Sequence, residues 1–147
     1  MDERLDYRST RTIRLTRALV RAFDHWRDED VRQIGSYGLH PSEFDVLVHL
    51  GVEQPQKMME LAERTLLTKS NCTRVMKCLE RKGLARRERG PESDREVLAS
   101  LTDEGQALFR RVYPVQYQHL KTLYDSRLTE QEQEQLIALL NRLAEVG

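Results

Sequence analysis

Cysteine is scarce: Cys72 and Cys78 are the only two in 147 residues. Two are too few for a disulfide framework, and on one helix six residues would hold them about 9 Å apart along the axis, beyond bridging reach. Four prolines and seven glycines leave too few turn formers for an all-β chain. No stretch approaches the roughly 18 apolar residues of a membrane span. The charged opening MDERLDYRSTRTIRL has no signal-peptide core. The expectation is a soluble, cytoplasmic chain in a reducing compartment, with no membrane partner. Signatures of catalysis are also missing. There is no nucleophile elbow, phosphate loop, dinucleotide fingerprint, H-E-x-x-H or C-x-x-C. Paired carboxylates fall only on solvated stretches such as Asp28-Glu29-Asp30. The chain is therefore expected to be no enzyme, with no cofactor and no metal site.

Net charge is absent too, with 24 Lys plus Arg balancing 24 Asp plus Glu. That zero conceals an asymmetry. Arg64–Arg95 carries ten basic residues against four acidic ones, while Gly35–Glu63 and Thr129–Gly147 are net acidic. A compact basic segment on a neutral body is an electrostatic footprint for a polyanion.

Hydrophobic residues make up 39% of the chain and recur at helical spacing. The pattern predicts a long first helix over 9–34, ended by Gly35-Ser-Tyr-Gly38. A second opens at His40-Pro41 and stops near Leu50-Gly51, and Glu53–Gln56 is a link. Met58–Thr65 is a short third helix. Thr68 is placed to cap a fourth, Lys69–Lys82, which Gly83 closes. Leu84–Arg89 and Arg95–Leu101 read as two strands around Gly90-Pro91-Glu92-Ser93-Asp94. Asp103 to about Ser126 is a fifth helix, with a kink expected at Pro114. Thr129-Glu-Gln-Glu132 is a capping box opening the last.

The fourth helix is the informative element. At 100° per residue, Cys72, Val75, Met76 and Leu79 fall within an arc of about 100°, a stripe suited to burial. Ser70, Arg74, Lys77 and Arg81 fall within roughly 60° of one another on the opposite side, flanked by Thr73. A short helix, a tight turn and a second helix with one apolar and one basic, hydroxyl-bearing face make a helix-turn-helix. Such a helix fits the major groove of DNA, where an arginine fork can grip guanine or phosphate. The hairpin adds Arg86, Arg87, Arg89 and Arg95, a basic wing able to send an arginine into the minor groove.

The segments GLHPSEFDVLVHL, MMELAERTLLTKSNCTRVMKCLERKGLARR and REVLASLTDEG resemble, in order and spacing, the MarR-type winged-helix transcription regulators. The resemblance implies a mainly α (α+β) fold: a winged helix-turn-helix with a two-stranded β wing and long terminal dimerisation helices. It also implies a DNA-binding lobe at 39–101 and a dimerisation region of 9–34 with 103–147. Function follows as a homodimeric repressor on a pseudo-palindromic operator in double-stranded DNA, released by a small aromatic or anionic effector. Carried over by position, Ser70, Asn71, Thr73, Arg74 and Lys77 face the groove, with Arg81 and Arg87 on the same basic surface and Arg95 as the wing-tip arginine. Three positions depart from the family pattern. Ser93 stands where an acid usually braces that arginine, with Asp94 displaced by one. His40 replaces the usual Ser or Thr cap, which should weaken the start of the second helix by about 1 kcal/mol. Leu66 occupies a turn position where glycine is common.

Other readings compete at individual residues. Cys78 lies beside Lys77, Arg81 and Lys82, surroundings that favour a thiolate and a redox-sensing role, whereas Cys72 falls on the buried stripe as a small core residue. Trp26, Tyr37, His40, Phe44 and Tyr113 are candidates to line an effector pocket, although aromatics at helical spacing are more often core. His25, His40, His49 and His119 form no metal-ligand spacing. From another class, the chain could be a winged-helix protein-interaction module that does not read DNA. The basic face argues against that.

Overall fold

The computed structural model describes residues 10–93 and 95–145. Its elements run α1 (Arg11–Gly35), α2 (Pro41–Val52), β1 (Gln56–Lys57), α3 (Met58–Arg64), α4 (Lys69–Arg81), β2 (Ala85–Arg89), β3 (Val97–Leu101), α5 (Asp103–Asp125) and α6 (Glu130–Leu143). The fold is a winged helix-turn-helix flanked by long helices, as the sequence pattern indicates. The proposed helix start at Ser9 and the displaced Asp94 lie outside the described residues.

Each boundary has a local cause. The hydroxyls of Thr10, Thr68, Thr102 and Thr129 accept from backbone N–H groups in the first turns of α1, α4, α5 and α6. Gly83, at φ +73°, closes α4, with Leu84 N donating to Leu79 O at 2.9 Å across the left-handed turn. The expected weak start of α2 is corrected. His40 Nδ1 accepts from Ser42 N at 3.2 Å, and Glu43 Oε1 accepts from His40 N at 3.0 Å. An imidazole with an unprotonated Nδ1 thus does the work of a hydroxyl. At Pro114, α5 continues unbroken.

The sheet differs from the expected two strands. β1 adds a third, giving the order β1-β3-β2, all antiparallel. Ala99 of β3 lies opposite both Gln56 and Arg87. The link read as ending at Gln56 is therefore partly strand, and Gln56 is buried. Its Nε2 donates to His49 O and Glu53 O, at 2.7 and 2.6 Å, tying off the end of α2.

The core sits in the lobe. Leu47 and Leu50 of α2, Leu61 of α3, Val75, Met76 and Leu79 of α4, and Ala99 of β3 are all at most 1% exposed. From the flanking helices, Ile34 and Val112 join this buried cluster, and Leu108 and Phe109 of α5 pack against it partly buried. No described residue of α6 is buried, and Leu136, Ile137, Leu139, Leu140 and Leu143 stand exposed, as do Leu15, Val20 and Phe23 of α1.

One contact fixes α5 to the lobe, and another joins α5 to α1. Gly105, in the first turn of α5, lies so close to the carbonyl of Leu84 that a Cβ there would strike backbone. Further along, Gln116 Nε2 donates to Asp30 Oδ1 between α5 and α1, and both residues are buried. Burial raises the Asp30 carboxyl above its ordinary value, partly offset by His119 and by the Gln116 hydrogen bond.

Gly105→Ala should therefore cost about 1–3 kcal/mol in urea denaturation, since neither backbone can give way cheaply. For Asp30, the folded chain binds the proton more tightly than the unfolded chain. Stability then falls as pH rises from the unfolded carboxylate value through the raised one. Asp30→Asn should accordingly be more stable than the parent at pH 7, with the difference closing at about pH 3 where both forms are neutral. Urea midpoints at the two pH values test this, and an unchanged midpoint at pH 7 would count against it.

Candidate nucleic-acid interface

Helix α4 has two faces of opposite chemistry. Cys72, Val75, Met76 and Leu79 are at most 1% exposed, packed in the lobe core. Ser70, Asn71, Arg74, Lys77 and Arg81 are exposed, and Thr73 is half-buried. Thr73 Oγ1 donates to Lys69 O at 3.0 Å, and Thr68 Oγ1 accepts from Asn71 N at 3.1 Å, so the first turn is fastened by its own hydroxyls. Arg74 and Lys77 enter no ion pair among the described residues. Arg81 folds back along the helix, its Nη2 3.0 Å from Cys78 Sγ.

The turn between α3 and α4 is built around Leu66, which is 93% exposed and adopts φ +59°. A β-carbon in the left-handed region is strained, and this side chain gains no burial in exchange.

On the wing, Gly90 N donates to Glu96 O at 2.7 Å and Arg95 N to Ser93 Oγ at 3.2 Å. Ser93, where the family pattern has an acid, thus holds the backbone of Arg95 instead. Lys57 Nζ reaches Glu96 Oε1 at 2.9 Å, pinning the wing to β1, and that carboxylate raises the Lys57 pKa. Arg87 is not splayed outward: its Nε donates to Glu80 Oε1 at 2.7 Å. At the other side of the end of α4, Lys82 Nζ donates to Gly38 O and Glu43 Oε1, both at 2.9 Å. Lys57 and Glu80 were not singled out from sequence, and Lys82 was read only as a neighbour of Cys78. Their partners lie on other elements, and no periodicity signals such pairs.

The five aromatic and histidine candidates do not converge. Tyr37 lines a cleft of about 530 Å³ with Gly38, Leu39, Lys82, Leu84, Leu108 and Arg111 among its walls. Phe44 is core, His40 is the exposed cap of α2, and Tyr113 stacks on Phe109 with centroids 5.2 Å apart. Trp26 is half-buried, and its Nε1 has no hydrogen-bond partner among the described residues. Cys72 is buried, which raises its thiol pKa, and Cys78 is half-buried. Among the described residues, no group of three or more His, Cys, Asp or Glu could hold a metal ion, and no helix is long and apolar enough to cross a membrane.

Residues 37–96, which run from before α2 through β2 to the start of β3, match the sequence profile of the MarR family. The HTH-type transcriptional regulator YkoM of Bacillus subtilis is 36% identical over 132 residues, covering 90% of this chain and 85% of that one. The chain belongs to the MarR family. It is a transcriptional regulator and not an enzyme. Two solved transcriptional regulators from Streptomyces coelicolor share the fold. Sco3205, in complex with DNA, superposes with a TM-score of 0.84 at 29% identity, covering 92% of this chain and 88% of that one. PcaV, in complex with its natural ligand, gives 0.74 at 26% identity, with 96% of each chain covered.

Leu66→Gly should relieve the strained turn and raise stability by about 1 kcal/mol, the left-handed penalty less the added chain entropy of glycine. Thermal melting checks this, and a lowered midpoint would show that Leu66 is supported in a way its exposure does not reveal.

Proposed function

We propose that the chain is a homodimeric repressor whose α4 helices enter successive major grooves of a pseudo-palindromic operator. The observation that carries this reading is the division of α4. Its apolar stripe is used up in the core, so Ser70, Asn71, Arg74, Lys77 and Arg81 are left outward as one basic, hydrogen-bonding face. Arginine there supplies a planar fork for guanine or phosphate, lysine a point charge, and the hydroxyls and amide adaptable partners. Arg95 on the wing extends the contact toward the minor groove. The solved complex of Sco3205 with DNA supports DNA as the partner.

The lobe at 39–101 reads DNA, and 9–34 with 103–147 pairs two copies. The exposed leucines of α6 and the apolar side chains of α1 support that division, because burying the half of each that remains exposed would gain about 1 kcal/mol. Pairing sets the separation of the two α4 helices near one DNA turn, about 34 Å. A small anionic or aromatic effector in the cleft beside Tyr37, drawn by Arg111, would favour a spacing that no longer fits. The complex of PcaV with its natural ligand supports regulation by an effector. The setting for this role is the cytoplasm.

The test uses a duplex selected from a random pool by the purified chain, with fluorescence anisotropy at several salt concentrations. Affinity should fall roughly 10³–10⁵-fold between 50 and 200 mM salt if about 6–10 phosphates are contacted. Arg74→Ala should cost about 1–3 kcal/mol and relax preference at one base position, and Arg95→Ala should act mainly at A·T-rich flanks. Parent-like binding by both variants would overturn the face assignment.

A further inference from the structure

We propose that Arg87, for all its place on the basic surface, is a positioning residue and not a phosphate ligand. Its ion pair with Glu80 sets the angle between wing and recognition helix, and so where Arg95 reaches. This inference rests on the DNA-binding reading above.

Three observations converge on the pair. Arg87 Nε lies 2.7 Å from Glu80 Oε1, and the two side chains are only 25% and 32% exposed. Ion pairs shielded in this way hold geometry better than solvated ones, and parting one partner leaves a charge uncompensated. Strand alternation comes next. Arg87 shares a face of β2 with Ala85, which is buried, while Arg86 and Glu88 occupy the other face and pair with each other at 3.4 Å. Arg87 also lies opposite Ala99, the residue to which β1 is paired from the other side. It therefore joins α4 to the sheet at the level where all three strands meet.

The third observation is the carboxylate itself. Glu80 is the one acidic residue within α4. It sits in the last turn, where the helix dipole disfavours negative charge, and on an element expected to approach a polyanion. Both costs are offset when Arg87 neutralises it. With the wing held, the tip is carried by the ladder that ends at Arg89–Val97, by Gly90 N–Glu96 O and by Lys57–Glu96.

The two roles for Arg87 predict opposite responses to Glu80→Gln. That change adds a net positive charge beside the DNA and frees Arg87. A phosphate-contacting Arg87 would then bind as well as before or more tightly. A positioning Arg87 loses its anchor, so affinity for the selected duplex should fall about tenfold, the size of one lost specific contact. In the Glu80→Gln background, Arg95→Ala should cost little more, because the wing has already lost its aim. Because a single change could disturb folding, the charge swap Glu80→Arg with Arg87→Glu is the second arm, with thermal melting of each variant alongside. Near-parent affinity in the swap, with each single change weak, supports positioning. A swap as weak as Arg87→Glu alone, or Glu80→Gln binding at least as tightly as parent with the full Arg95→Ala cost, overturns it. If the parent itself selects no duplex, it is the DNA-binding reading that falls.

Discussion

Burial of one apolar stripe on α4 is the constraint from which the lobe follows. Val75, Met76 and Leu79, with the thiol of Cys72, can leave water only by turning inward against α2 and α3. Helical geometry then leaves no choice about Arg74 and Lys77, which emerge on the far side. The recognition surface is thus a by-product of core packing. The core decides orientation, and the exposed residues decide what can be recognised.

Around that stripe, the end of α4 is tied in two directions. Glu80 and Arg87 join it to the wing, while Lys82 joins it to Gly38 and to Glu43 in the capping box of α2. These contacts cross between elements far apart in sequence. They convert a set of short helices, none of which would be stable alone, into a lobe of defined internal angles.

Much of this was legible in the sequence because it rests on short-range rules. The threonine caps at positions 68 and 129, the glycine after α4 and the two faces of α4 all follow from spacing within a few residues. The family could be named from LERKGL and LTDEG for the same reason. β1 was not legible: two residues cannot show alternation, and Gln56 is held by carbonyls of α2 and by its pairing with Ala99. His40 was misjudged because cap preferences average over residue types, whereas here Nδ1 and Glu43 together build the box. The aromatic candidates shared only a composition argument, and side-chain direction sends Phe44 into the core and Tyr113 onto Phe109. Ion pairs such as Glu80–Arg87 have no sequence signature, since either residue looks like surface until the fold brings them together.

The contact between Gly105 and the Leu84 carbonyl has a mechanical meaning. Most helices rest on their neighbours through side chains that can change rotamer and absorb a small displacement. Here backbone meets backbone with nothing compliant between them, at the point where Thr102 N also donates to Leu84 O and Thr102 Oγ1 to Gly83 O. A tilt of the long α5 shaft therefore reaches the root of the wing undamped, as a lever moves its load when the fulcrum has no slack.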